Sequence, residues 1–198
     1  MHAREAPDSR CLFDIASQQQ GHFTTSQAKR CGYSRALLSH HAKQGDFERV
    51  RHGIYRLRNY PSSPFEEFAV EWLSAGSEDA AISHVAALYL HELSDVLPDR
   101  IDVLIPRRKS GYRGQPSTRV HTTTRPPETT TRHGIRVTLP ERSIVDACRW
   151  GAEPSEIRKA IEEGLERGVI TPNSLLEALP EGLSRRCRSL VEHTVEEW

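Results

Sequence analysis

A change of hydrophobic period near residue 45 is the feature that most restricts how this chain can fold. Before Gly45 the apolar residues recur at helical spacing. After it, residues 47–57 (FERVRHGIYRL) alternate as two short strands do. Gly53 lies between the two strands and can adopt the positive φ of a tight turn. The sequence therefore predicts a β-hairpin directly after a helix.

Three helical segments precede this hairpin. Residues 12–21 carry apolar side chains at i, i+3 and i+4, and Thr24 with Gln27 has the spacing of a capping box at the start of a second helix. Ser34 is a suitable N-cap for a third helix, which Gly45 ends. Helix, helix, short turn, helix and hairpin is the order of a winged helix-turn-helix domain.

The third helix and the hairpin carry residue types that contact DNA. Arginine can donate two hydrogen bonds to one guanine in the major groove, and lysine more often meets phosphate. Arginines of a β-wing can enter the minor groove. An ordinary amphipathic helix with a wet face would carry the same residues, so the combination with the basic hairpin is what favours DNA. The candidate contacts are Ser34, Arg35, Ser39, His40, Lys43, Arg49, Arg51, His52 and Arg56.

The charge of the chain is unevenly distributed. Residues 1–63 hold ten Lys and Arg against five Asp and Glu, whereas residues 64–198 hold 17 against 22. The whole chain is formally neutral. A basic first part on an acidic remainder is compatible with binding of an anion such as nucleic acid by the first part, although chance alone could also produce this excess.

The polar stretch 58–64 contains two prolines and is predicted to link two domains, at residues 1–60 and 65–198. The second domain alternates helical and strand patterns, so the fold class is α+β: a winged helix followed by a mixed domain of helices and a small sheet. The predicted helices are 65–76, 80–93, 141–151, 154–168 and 171–179, with strands at 100–106, 118–124 and 134–140. A further helix is possible after residue 180.

The order of several motifs resembles the AbiEi family of antitoxins, from bacterial abortive-infection toxin–antitoxin systems. The resemblance begins with GHFTTSQAKRCGYSRALLSHHAKQGDFERVRHGIYRL, where Gly53-Ile54-Tyr55 follows the wing turn. It continues through ISHVAALYLHEL, RIDVLIPRR and HGIRVTLPERSIVDACRWG, to about residue 180. Ser143-Ile144 stands where Thr-Leu is usual in the family, which is a mild departure.

This resemblance implies a regulator that represses its own operon through the winged helix, often at inverted repeats in double-stranded promoter DNA. The functional partner would be a nucleotidyltransferase toxin, and the second domain would be tied to neutralising it. Many family members neutralise without a stable toxin complex, so direct contact is left open. No cofactor and no enzymatic activity are expected.

Two competing classes remain open at this point. One is a DNA-processing enzyme related to winged-helix nuclease-like proteins, and the other is a winged helix that binds proteins. A pair of acidic residues with catalytic spacing would favour the enzyme, and the sequence offers none that is convincing. Weak, salt-insensitive DNA binding would favour the protein-interaction class.

Further clusters in the second domain are less specific. The basic loop with Arg107, Arg108, Lys109 and Arg113 is either a second contact surface or a solvated loop. His84, His91 and Asp95 share a predicted helix, but three ligands on one helix rarely converge on a metal, so packed or capping histidines are expected and no metal site is predicted. Arg142 and Asp146 have the spacing of a structural ion pair.

The cysteines and the hydropathy pattern bear on compartment. Cys11, Cys31, Cys148 and Cys187 lie far apart and form no CxxC pair, so a zinc ribbon and a thioredoxin-like motif are not expected. No signal peptide opens the chain, and no apolar run approaches the ~20 residues that span a bilayer. We therefore expect a cytoplasmic protein without membrane contact, whose cysteines are reduced and mostly fill space.

Overall fold

A computed structural model describes residues 6–109 and 111–198 and divides them into two compact units. The first unit reaches to Ser77 and includes His133–Ile135, and the second comprises Glu78–Arg132 and Arg136–Trp198. The α+β class is confirmed. No helix in the described ranges is long and apolar enough to cross a membrane.

The first unit has the element order of a winged helix. Its elements are α1 (Ser9–Ser17), β1 (His22–Thr24), α2 (Thr25–Arg30), α3 (Arg35–Gln44), β2 (Phe47–Arg51), β3 (Ile54–Leu57) and α4 (Glu66–Ala75). The three strands form one antiparallel sheet in the order β1-β3-β2. The expected helices and hairpin are confirmed, whereas β1 was not predicted because three residues give no detectable alternation.

The helix ends follow local capping chemistry. Thr24 and Gln27 form the predicted capping box at the start of α2. The hydroxyl of Ser34 accepts a hydrogen bond from the backbone N–H of Leu37 (3.1 Å), and Gly45 ends α3 with a φ of +86°. The prediction for α1 was wrong at both ends, because the carboxylate of Asp8 caps a helix that begins at Ser9 and stops at Ser17.

A cluster of aromatic side chains joins α1, α3 and the sheet of the winged helix. Phe23 of β1 meets Phe47 of β2 edge-on at 5.1 Å and stacks on Tyr55 of β3 at 5.8 Å, measured between ring centroids. Leu12 of α1 and Leu38 of α3 are fully buried against this cluster. Each such side chain contributes about 2 kcal/mol by leaving water, so the position of α3 is set by its one buried face.

Helix α4 clusters with the first unit, although the polar linker placed the expected boundary before it. Glu71 of α4 is completely buried and its carboxylate accepts a hydrogen bond from the guanidinium of Arg51 in β2 (2.8 Å). The Arg51–Glu71 pair is one of the ties between α4 and the wing, beside the buried apolar side chains of the helix.

The second unit is built on a five-stranded mixed sheet with the order β6-β5-β4-β8-β7. Its strands are β4 (Ala81–Ile82), β5 (Ile101–Pro106), β6 (Thr118–Thr123), β7 (Thr129–Arg132) and β8 (Ile135–Thr138). Strand β4 runs antiparallel to β5 and parallel to β8, and β5 runs parallel to β6.

Helices complete the second unit. They are α5 (His84–Leu90), α6 (Pro140–Arg149), α7 (Pro154–Glu166), α8 (Pro172–Glu177) and α9 (Arg185–Glu197), with a single 3₁₀ turn at Arg107–Lys109. A core of buried aliphatic residues joins α5, α6, α7 and α9. The predicted helix 80–93 was wrong at its start, because Ala81 and Ile82 pair with β5 as strand β4. The possible helix after residue 180 is confirmed as α9.

Two of the four cysteines are bonded to each other. Cys11 in α1 and Cys31 after α2 form a disulfide, so the expectation of reduced cysteines was wrong for this pair. Their separation of 20 residues gives no sequence signal, because only the packing of α1 brings the Cα atoms to 5.7 Å. Cys148 and Cys187 are free and buried, which agrees with the expectation that they fill space.

Replacing Cys11 and Cys31 together by serine should lower the free energy of unfolding by about 3 kcal/mol, because the disulfide restricts the unfolded chain. Urea unfolding followed by circular dichroism measures the difference. The native protein with a thiol reductant should unfold like the double variant. Titration of four free thiols in the oxidised, unfolded native chain would contradict the bond, since only two are expected.

Candidate nucleic-acid interface

The candidate DNA contacts of α3 lie on its exposed face. Arg35, Ser39, His40 and Lys43 are all exposed, whereas Leu38 is fully buried on the opposite face. The split arises because one side of α3 packs on the aromatic cluster and the other meets solvent. Such a face can present donors to base edges in the major groove.

Capping and neighbouring residues extend this face at the start of α3. Ser34 is exposed and caps the helix, so its hydroxyl is already engaged with the Leu37 amide. A groove of about 660 Å³ runs beside it and is lined by Lys29 and Arg35, among others. Lys29 is exposed and was missed by sequence reasoning, although the Lys29-Arg30 pair directly before the turn is a signal that could have found it.

The four wing residues lie in three different environments. Arg49 and His52 are exposed, and the guanidinium of Arg49 lies 3.2 Å from Nδ1 of His52. The pairing register of β2 with β3 shifts between Arg49 and Arg51, and such irregularities redirect side chains. Arg51 is only 26% exposed and bonds Glu71 and Ser74 of α4.

Arg56 lies inside the first unit. Its side chain is 10% exposed and bonds the Glu66 carboxylate at 3.0 Å. The same guanidinium donates to the backbone oxygens of Leu57, Arg58 and Tyr60. These bonds use the donors that a DNA contact would need, so Arg56 supports the wing instead of extending from it.

The basic loop of the second unit is partly neutralised. Arg108 and Lys109 both bond the carboxylate of Asp79, at 2.7 and 3.1 Å, and hydrogen bonds from the two cations lower the pKa of Asp79. Arg107 and Arg113 are exposed. One carboxylate therefore offsets part of the charge that the sequence assigned to a second contact surface.

His84, His91 and Asp95, which the sequence places on one predicted helix, have separate partners. Asp95 bonds Lys159, and His91 is buried with Nε2 2.7 Å from the Thr138 carbonyl and Nδ1 3.3 Å from Nε of Arg132. Because Arg132 can only donate, Nδ1 accepts and Nε2 carries the ring proton. His84 faces a cavity described below. The predicted Arg142–Asp146 ion pair is confirmed at 2.5 Å.

The comparisons with known proteins agree with a winged-helix regulator. Residues 12–58 match a family model described as "Transcriptional regulator, AbiEi antitoxin", which confirms the resemblance over that segment. The crystal structure of the RV2827C protein from Mycobacterium tuberculosis is similar in fold, with a TM-score of 0.55 at 15% identity. The similarity covers 98% of this chain and 78% of that one. No curated protein matches significantly.

The arginines of the wing should differ in how much they contribute to the free energy of unfolding. Arg56→Ala removes one partner of a mostly buried pair and should lower the free energy of unfolding by about 3 kcal/mol. Arg49→Ala removes an exposed side chain and should change it by less than about 0.5 kcal/mol. Urea unfolding of both variants beside the native chain measures the difference. Equal effects would contradict the two roles.

Stability should fall on acidification through His91. Burial lowers the pKa of His91 from its usual 6.5, against the opposing effect of the bond to Thr138. The unfolded chain then binds the proton more readily than the folded chain, so the free energy of unfolding decreases as pH falls below about 6.5. Urea unfolding at pH 7.5 and 5.5 measures this loss.

Two matched variants test whether His91 causes the loss of stability on acidification. His91→Gln keeps an N–H donor and an oxygen acceptor without a titrating group, so the loss between the two pH values should shrink. His193→Gln replaces an exposed histidine of α9 and should leave the loss unchanged. A loss of native size in His91→Gln would show that other groups cause it.

Proposed function

We propose that this protein is a DNA-binding antitoxin that represses its own toxin–antitoxin operon in the cytoplasm, without enzymatic activity. The observation that carries the proposal is the exposed polar face of α3 beside the exposed end of the wing, within the segment that matches the AbiEi regulator family. The partner is double-stranded DNA of its own promoter, at inverted repeats.

Different side chains of α3 make different contacts with DNA in this proposal. Arg35, in the first turn of α3, is placed to donate to a guanine, because helix-turn-helix domains contact bases mainly from the N-terminal part of this helix. Lys43, in the last turn, contacts phosphate together with Lys29. Ser39 and His40 lie between them on the same face.

The exposed end of the wing supplies the second contact. Arg49 and His52 lie beside each other there, and an arginine at this place can enter the minor groove or clamp its phosphates. Arg51 and Arg56 hold the wing in place through their acidic partners in α4, Glu71 and Glu66. We therefore assign them to positioning the hairpin, and the direct contacts to Arg49 and His52.

The second unit carries the antitoxin role in this proposal. Its functional partner is a nucleotidyltransferase toxin, and the proposal holds whether or not neutralisation involves direct contact. The exposed Arg107 and Arg113 are the second contact surface, together with Arg108 and Lys109 whose charge Asp79 partly offsets.

Fluorescence anisotropy with the DNA upstream of the gene tests the proposal. Arg35→Ala and Arg49→Ala should each weaken binding about 10- to 100-fold, because each removes a contact worth about 1–3 kcal/mol. Lys43→Ala should weaken binding to promoter and random DNA equally. It should also reduce the slope of the logarithm of the binding constant against the logarithm of the salt concentration by about one.

Arg185→Ala is the matched control, since it removes the same charge from an exposed position at the start of α9. It should bind like the native protein. Native-like binding by both Arg35→Ala and Arg49→Ala, or no preference for the promoter over random DNA, would refute the assigned interface. Weak binding that salt hardly changes would instead favour a protein-interaction domain.

A further inference from the structure

Three potential metal ligands of the second unit meet beside a cavity that the proposed function does not use. Asp102 lies on β5, His121 on the neighbouring β6, and His84 is the first residue of α5. One ligand atom from each lies within 4.8 Å of the other two, and all three residues are buried. They come from separate elements, so the fold rather than one helix face creates the cluster.

Asp102 supplies an oxygen without a partner. Its Oδ1 accepts from Nε2 of His121 at 2.8 Å and from Arg119 at 3.3 Å. Its Oδ2 is completely buried and has no hydrogen-bond partner among residues 6–109 and 111–198. A buried carboxylate oxygen left unsatisfied is costly unless something binds it.

The unusual backbone conformation of His84 places its side chain beside Asp102 and His121. Its φ of +53° lies in the left-handed region, which residues other than glycine seldom adopt and which is concentrated at functional sites. Its Nδ1 lies 2.9 Å from the hydroxyl of Ser83, so Nε2 remains for a ligand. Ser83 is itself held by a bond from its N–H to the backbone oxygen of Asp102 (2.9 Å). Outer partners of this kind orient metal-binding histidines.

The open side of the cluster is a cavity of about 460 Å³. His84 and His121 line it together with Arg142, Arg149 and Trp150. The two imidazoles are stacked with centroids 3.6 Å apart, and Trp150 meets the ring of His121 edge-on at 4.5 Å. The cavity gives one ring the room to turn out of the stack and gives a further ligand access.

We propose that His84, Asp102 and His121 bind one divalent transition-metal ion of the zinc type, with an open position toward the cavity. Two imidazoles and one carboxylate suit zinc, whereas magnesium and calcium prefer oxygen ligands alone. Three protein ligands leave the fourth position of a tetrahedral zinc ion open, whereas structural zinc sites are closed by four protein ligands. The inference is independent of the proposed DNA contacts, because all three ligands belong to the second unit.

Binding requires only small changes. Oδ2 of Asp102 becomes a ligand without giving up a bond, and Oδ1 keeps Arg119. The ion replaces the hydrogen bond between His121 and Asp102, and Nε2 of His121 must give up its hydrogen to bind the ion, either to Nδ1 of the same ring or to solvent. One imidazole tilts out of the stack so that both lone pairs meet the ion.

Isothermal titration of the chelator-treated full chain with zinc chloride tests the site. One ion per chain should bind, and magnesium chloride under the same conditions should give no saturable signal. Cobalt(II) should give the visible absorption of a four-coordinate site, and the tryptophan fluorescence should change on zinc addition. That change should disappear in Trp150→Phe, because Trp150 contacts the ring of His121.

Asp102→Asn and His84→Gln should each weaken zinc binding by at least about 100-fold, since each removes a direct ligand. His193→Gln replaces an exposed histidine outside both proposed sites, and its zinc affinity should stay within twofold of that of the native chain. Circular dichroism and urea unfolding in chelator check that each variant folds. If Asp102→Asn does not fold, the cobalt spectrum of the native chain and His84→Gln decide.

Two results would overturn the proposal. One is the absence of saturable zinc binding and of four-coordinate cobalt absorption in the native chain. The other is native affinity in folded Asp102→Asn or His84→Gln. Promoter binding measured on the same samples with chelator present reports separately on the winged helix, so failure of one proposal is distinguishable from failure of the other.

Discussion

The buried guanidinium of Arg56 is the interaction on which the first unit most depends. It draws together the end of β3, the polar segment that follows and the first turn of α4, through three backbone oxygens and the Glu66 carboxylate. Arg51 adds a second tie to the buried Glu71 in the same helix. While these ion pairs hold the wing against α4, helix α3 keeps its orientation by packing on Phe47 and the aromatic cluster.

The second unit shows a different use of buried polar groups. Nε2 of His91, at the end of α5, donates to the backbone oxygen of Thr138 in β8, and Arg142 pairs with Asp146 along α6. Beside them, Asp102 retains an unsatisfied oxygen and His84 a left-handed backbone. Natural folds satisfy nearly all buried polar atoms, so unsatisfied and strained groups that lie together indicate a place where something binds.

Local chemistry made the winged helix predictable, and long-range packing limited the rest. The capping box at Thr24, the cap at Ser34 and the turn at Gly53 act within a few residues, so the sequence alone located the elements. Arg51 and Arg56 matched a DNA-binding pattern, but their acidic partners lie 20 and 10 residues away, respectively. The His84, Asp102 and His121 cluster depends on strand order, which periodicity does not reveal.

The separation between exposed and buried arginines has an evolutionary consequence. Arg35 and Arg49 contribute nothing to the core, so substitutions there leave the folded domain intact. Arg51 and Arg56 cannot vary without removing support from α4 and the hairpin. Related chains can thus diverge in the outer positions while the supporting pair stays fixed. Under the proposed role, new operator preferences could arise in such lineages without compensating changes in the interior.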